Sequence, residues 1–334
     1  MRRRDFIRGL AGSAAVWSCG ASAQQLAMPV IGLLNIGTRD AYANNALAAF
    51  RRGLQEAGYV EGQNVTIEYR FAEHKGERLP ELAADLVRRQ VAAIVELSGG
   101  APTALATRAA TSTIPVVLAF GSDPVKLGLA ESLNHPGGNV TGITFFTTEL
   151  VSKRIELLCE VVPQAKTVAY LRNGPLLSTP VTEQMTADAL ATARALGRQV
   201  MILKVDKAEE LDGAFSTLLN EHADVLVIAS APFFDTVAIN DQLAALTLQR
   251  AVPAIYQQRN FPAAGGLMSY GADQGEAFRQ AGIYTARILK GERPGDLPFQ
   301  QSTKVELVIN LKTAKALGVT IPLPILGRAD EVIE

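Results

Sequence analysis

The side chains able to do covalent or metal chemistry are few and badly spaced for it. Histidine occurs at 74, 135 and 222 only, and no pair has a metal-ligand spacing. No G-x-S-x-G elbow and no G-x-x-x-x-G-K-[ST] loop is present. The Gly-Gly pairs at 99–100, 137–138 and 265–266 lack dinucleotide spacing. His222 reads as a residue closing a helix, and Cys159, beside Leu157 and Leu158, reads as core. These observations point away from an enzyme and from any bound cofactor or metal.

What the chain does offer is a set of turns suited to holding a small molecule. Ser98-Gly99-Gly100-Ala101-Pro102-Thr103 follows an apolar run and opens a helical one. Free N–H groups at a helix start favour an anion such as a carboxylate, and the glycines let it approach. Ser98 and Thr103 add hydroxyl donors. The alternative is a plain strand-to-helix turn. Phe120-Gly121-Ser122-Asp123 ends the next apolar run. Phe120 would stack on a flat ligand and Ser122 would donate to it. Asp123 would either accept from an ammonium group or cap the helix that Pro124 begins. Asn35 and Thr38 end the first run. Further along, Asn173, one of Phe233 and Phe234, and Gln257 are placed to complete the site. No acidic residue of this later half is placed to face an ammonium group, which leaves an amine-free ligand open.

The elements that must carry these turns alternate regularly. Val30 to Asn35, Ala92 to Leu97 and Val116 to Phe120 are apolar runs of strand length. Val65 to Phe71 alternates as a half-buried strand does. Ala46, Leu47, Phe50 and Leu54 recur at helical spacing, as do Leu79, Leu82 and Leu86. A second series begins after about Thr148, with strands at 167–171, 199–205, 225–229 and 254–256 and helices between them. Val225 to Phe234 reads as a strand with its following loop. The fold expected is α/β, with two Rossmann-like lobes built on parallel sheets. The tail, with strands at 266–270 and 305–309 around a helix at 275–289, cannot extend the second sheet in order. The chain is therefore expected to recross between lobes. One lobe is placed at 28–148 plus about 272–300, the other at 149–271 plus about 301–334.

The N-terminus carries an address. Arg3-Arg4-Asp5-Phe6-Ile7-Arg8 matches a twin-arginine export signal, followed by a short apolar stretch and Ala21-Ser22-Ala23, a small-x-small cleavage site. The stretch is far below the roughly 20 residues that span a bilayer. Cleavage after Ala23 is expected, with loss of Cys19. Trp17 fits poorly the small-residue position before a lipidated cysteine. The expected location is the periplasm. Without residues 1–23, the 32 basic and 33 acidic residues lose Arg2, Arg3, Arg4, Arg8 and Asp5, leaving a net charge of −4. With no basic cluster on a helix face, nucleic-acid binding has no electrostatic footprint. A lone Cys159 forms no internal disulfide, so the fold rests on its core, consistent with 48% hydrophobic residues.

Several phrases together carry a resemblance: Gly58-Tyr59-Val60-Glu61-Gly62-Gln63-Asn64-Val65, Asp123-Pro124-Val125-Lys126-Leu127-Gly128-Leu129, Pro136-Gly137-Gly138-Asn139-Val140-Thr141-Gly142, Gly265 to Gly271, and Leu307 to Ala314. The chain resembles the substrate-binding proteins of ABC transporters related to tryptophan/tyrosine importers. The resemblance implies a type I periplasmic-binding-protein fold with three crossings at the hinge. It also implies ligand capture by lobe closure, and a permease and an ATPase as partners of a monomeric protein. The expected ligand is an amino acid or an aromatic or branched organic acid. Relatives usually carry an Asn-Pro phrase where this chain has Asn173-Gly174-Pro175. The alternatives are a ligand sensor feeding a chemoreceptor or sensor kinase, an exported Rossmann-type enzyme, and a repressor's sensor domain. The export signal stands where a repressor's helix-turn-helix would be.

Overall fold

A computed structural model describes residues 28–39, 41–146, 150–174 and 180–334. The signal motif, Cys19 and the cleavage site lie outside them. The chain runs β1 (Val30–Asn35), α1 (Ala41–Glu56), β2 (Thr66–Phe71), α2 (Leu79–Arg88), β3 (Ala93–Leu97), α3 (Gly100–Ala110), β4 (Val116–Phe120) and β5 (Val140–Thr144). It continues through α4 (Val151–Val161), β6 (Thr167–Asn173), α5 (Pro180–Ala195), β7 (Gln199–Val205), α6 (Leu211–Asn220), β8 (Val225–Ile228), α7 (Pro232–Asp235), α8 (Val237–Gln249) and β9 (Ala254–Tyr256). The last part is α9 (Asn260–Ala263), β10 (Met268–Ala272), α10 (Gln274–Leu289), β11 (Gln300–Gln301), β12 (Val305–Asn310), α11 (Leu311–Ala316), α12 (Leu323–Leu326) and β13 (Glu331–Ile333).

These strands form two sheets, ordered β11-β5-β4-β3-β1-β2 and β13-β12-β10-β9-β8-β6-β7. The first is parallel throughout. In the second, β12 runs antiparallel to β10 and carries β13 beside it. The chain passes between the sheets three times: after β5, after β10 and after β11. The second pass shows most clearly in α10, which follows a strand of the second sheet yet packs Ala277, Phe278, Ala281 and Tyr284 into the core of the first. Glycines let α10 lie close against α1. A Cβ on Gly53 would sit 1.8 Å from the Arg279 carbonyl oxygen, and one on Gly282 would sit 2.2 Å from that of Phe50. The strands put Ala272 with the second sheet and Gln301 with the first, one residue beyond the expected boundary in each case.

The first sheet is covered on both faces, since alternate residues of β3 enter different clusters. Ala93, Val95 and Leu97 pack toward α1 and α10, while Ile94 packs toward α2 and α3. Burial on both faces explains why these strands read as continuous apolar runs. Strand β5 was not among the expected elements, because Val140-Thr141-Gly142-Ile143-Thr144 mixes apolar and hydroxyl residues. All five are buried. Thr141 Oγ1 donates to the Leu297 carbonyl at 2.6 Å and Thr144 Oγ1 to that of Ser122 at 2.9 Å, so the polar atoms are satisfied inside. The run from Val225 also differs from its reading: the strand stops at Ile228, and Pro232 opens a helical turn. Among the described residues, no helix is long and apolar enough to cross a membrane.

Candidate ligand-binding site

The carboxyl ends of both sheets face one another, and the turns that leave them form a cleft. On the first side are the ends of β1, β3 and β4; on the second, those of β8 and β9 with α7. Asn35, Thr38 and Ser98 meet Pro232, Asp235 and Thr236 around a space of about 20 Å3. Ser98, Gly100 and Ser122 meet Ser230, Asp235 and Gln257 around another of about 60 Å3. Ser122 and Asp123 also border a third, of about 260 Å3, against Val181, Gln184 and Asp188 of α5. The two sides touch directly. The rings of His74 and Phe233 meet edge to face at 6.1 Å, and a Cβ on Gly100 would lie 3.4 Å from Pro232 Cγ.

The first wall is made largely of backbone. Ser98 and Gly100 have φ of 57° and 72°, and this left-handed pair turns the chain from β3 into α3. No side chain caps the α3 start. Gly99 has no room for another residue, because its Cβ would fall 2.7 Å from both Glu96 Oε1 and Thr103 Oγ1. Glu96 itself is fully buried under this turn, and neither of its carboxyl oxygens has a hydrogen-bond partner. Burial pushes its pKa well above the ordinary value.

The second wall is made of side chains around a buried acid. Asp235 Oδ1 accepts from Tyr256 Oη at 2.6 Å and from the Nε2 atoms of Gln257 and Gln258, each at 2.8 Å. No described residue donates to Oδ2. Burial raises the Asp235 pKa, while the three donors and the charge of Arg154 pull it down. Arg154 is wholly buried on α4, donates to Ser230 Oγ at 2.9 Å, and has its pKa lowered to about 10 by that burial. A cation is thereby held behind Ser230 and near Asp235 without entering the cleft.

Of the residues expected at the site, several are differently employed. Phe120 is fully buried with Leu118, Leu129 and Phe299 and offers no face to a ligand, because the sheet's alternation turns it toward α2 and α3. Thr103 is also buried, and its hydroxyl donates to the Gly99 carbonyl at 3.0 Å. Asp123 accepts through Oδ1 from the N–H groups of Val125 and Lys126 in a turn over 124–128, and the helix expected to begin at Pro124 does not form, so Asp123 closes a turn and caps no helix. Asn35 borders the cleft with both amide atoms engaged, donating to the Leu97 carbonyl and accepting from the Gly37 N–H. Asn173 is buried, with Nδ2 lacking a partner. Phe234 lies in the second core, while Phe233 meets His74 across the cleft.

Asp235 corrects the expectation that the second half presents no acid to the cleft. It was missed because it follows two phenylalanines at the end of an apolar run. Only the helical turn of α7 swings it back over the end of β9.

Comparison with known proteins agrees with this architecture. Residues 37–333 match the model of a family described as ABC transporter substrate binding protein. The chain belongs to that family. It is therefore a solute-binding protein of an ABC transporter system and not an enzyme, and such proteins work outside the cytoplasm. A tyrosine-binding protein of Clostridioides difficile is 27% identical over 281 residues, covering 82% of this chain and 76% of that one. A Streptococcus pneumoniae ABC domain in complex with L-Trp superposes with a TM-score of 0.79 at 24% identity, covering 91% and 99% of the two chains. A ligand-free, open substrate binding protein with adhesive properties from Clostridium difficile gives 0.63 at the same identity and coverages. The neighbours have the type I periplasmic-binding-protein fold.

Proposed function

We propose that the protein receives an α-amino acid in the interlobe cleft and delivers it to the permease and ATPase of an importer. The observation that carries this reading is the opposition of two unlike groups. A helix start with no side-chain cap on the first wall faces the carboxyl group of Asp235 on the second. The first suits a carboxylate and the second an ammonium group. A zwitterion would bridge the walls only when they are closed, so its binding energy would favour closure. The better superposition on the L-Trp complex than on the open, ligand-free relative supports taking the present lobe arrangement as the closed one. The names of the relatives support an amino acid as ligand. The two sheets with their helices serve as the moving lobes, and the Arg3-Arg4 motif supports export to the periplasm by the twin-arginine route.

Calorimetric titration with the L-amino acids, each beside its 2-oxo acid, tests the reading. An amino acid that binds while its oxo analogue does not supports it. Equal binding of the oxo acid would show that Asp235 holds no ammonium and would move the assignment to amine-free acids.

A further inference from the structure

One buried cation has no part in the reading above. Arg154 on α4 is wholly enclosed, and with its pKa lowered by burial to about 10 it keeps its charge at neutral pH. It donates through Nη1 to the Tyr270 carbonyl at 3.3 Å and through Nη2 to Ser230 Oγ at 2.9 Å. The first bond ties it to β10, and the second to the loop that leaves β8.

Ser230 is half-buried and borders the space of about 60 Å3 that Ser98, Gly100, Ser122 and Asp235 also line. A hydroxyl has one hydrogen to give and two lone pairs with which to accept. Arg154 occupies a lone pair from behind, and its positive charge turns the hydroxyl hydrogen away from itself. No described residue accepts that hydrogen. The wall thus presents a donor backed by a cation, a combination that matches an anionic oxygen. Asp235 borders the same space and would repel an anion that came alone. The group that fits is therefore one arm of a zwitterion, whose ammonium group offsets that carboxyl.

We infer that Ser230 is the second wall's contact with the ligand's carboxylate, and that Arg154 is the positioning residue that fixes its hydroxyl. The carboxylate then spends one oxygen on the N–H groups at the start of α3 and the other on Ser230. The second wall reads both charges of the zwitterion, the first only the negative one. The inference rests on the amino-acid reading above and deepens it.

The test is calorimetry with the twenty protein amino acids and, for each that binds, its primary amide. The amide keeps the ammonium group and the side chain but has no negative charge. Ser230→Ala should lower the preference for acid over amide by about fivefold or more. The acid loses a charge-assisted bond and the amide only a neutral one. Where an amide is too weak to titrate, a loss of about ten-fold for the acid decides. Arg154→Met replaces the buried cation by an apolar side chain and should lower the same preference by about threefold or more. A mere loosening of the lobe would weaken acid and amide alike. A smaller change in folded Ser230→Ala overturns the inference and leaves the amino-acid reading intact. A smaller change in folded Arg154→Met overturns the positioning role, and if that variant does not fold, Ser230→Ala decides. If none of the twenty binds to wild-type protein that melts cooperatively, the amino-acid reading itself fails and this inference with it.

Discussion

The two walls of the cleft are built on opposite plans. The first uses backbone: a left-handed Ser98–Gly100 turn feeding α3, with the buried acid Glu96 beneath it and unbonded. The second uses side chains: Asp235 held by three donors at the ends of β8 and β9. Both carboxyl groups are deeply buried and both are raised above their ordinary pKa. Only Asp235 borders the cleft, and only Asp235 has donors that offset the cost of burying its charge. A backbone wall receives any ligand carrying the right charge, whereas a side-chain wall can distinguish one ligand from another. Ligand choice should therefore be altered far more through the second wall than through the first.

Replacing Asp235 should show the difference most strongly. Asp235→Asn keeps the shape and removes the charge-assisted bond, worth about 2–3 kcal/mol. Amino-acid affinity should drop roughly 100-fold in calorimetry, a factor this energy corresponds to. Unchanged affinity would remove Asp235 from the site.

Glu96 should act on stability instead. A carboxyl group whose folded pKa is raised favours folding fully below its unfolded pKa. That contribution is lost as pH rises toward the folded value. The wild type should therefore lose stability relative to Glu96→Gln as pH rises from 4.5 to neutrality. The expected gap is about 1–3 kcal/mol, the cost of an unpaired buried group. Denaturant melts at several pH values check this. A pH-independent gap would mean that Glu96 does not titrate differently in the folded state.

Gly100 comes next in size. Its φ of 72° is strained for any residue with a Cβ, so Gly100→Ala should cost about 1–2 kcal/mol in melting experiments. Binding should weaken modestly and equally for all ligands, as expected of a wall that does not discriminate. A change in ligand preference would break the contrast between the walls.

The smallest effect is expected at Phe233→Leu, which removes the ring that meets His74, a contact worth about 0.5–1.5 kcal/mol. Small-angle scattering of the unliganded protein should show a larger radius of gyration, because one closing contact is lost. An unchanged radius would show that this pair does not hold the lobes together.

Much of this arrangement is visible in the residues themselves. The apolar runs of β1, β3 and β4 announce a parallel sheet because both faces are covered. The Gly-Gly turn after β3 announces a helix start without a side-chain cap. Strand β5 was hidden because its threonines bond to carbonyl groups that only the folded chain supplies. Phe120 was misread because an aromatic residue at a strand end looks the same whether it turns into the core or out of it.

The sequence by itself determined the family, the alternation of strand and helix, the turns at the strand ends and the existence of crossings between two sheets. Each follows from local pattern: hydrophobic period, glycine and proline placement, and phrase-level likeness. The tertiary structure decided that Phe120 goes inside and Asp235 faces the cleft. It also decided that Tyr256, Gln257 and Gln258 gather as donors on the one oxygen of Asp235. These outcomes depend on groups far apart in sequence meeting across two sheets, and a one-residue change of pleat or one helical turn reverses which way a side chain points.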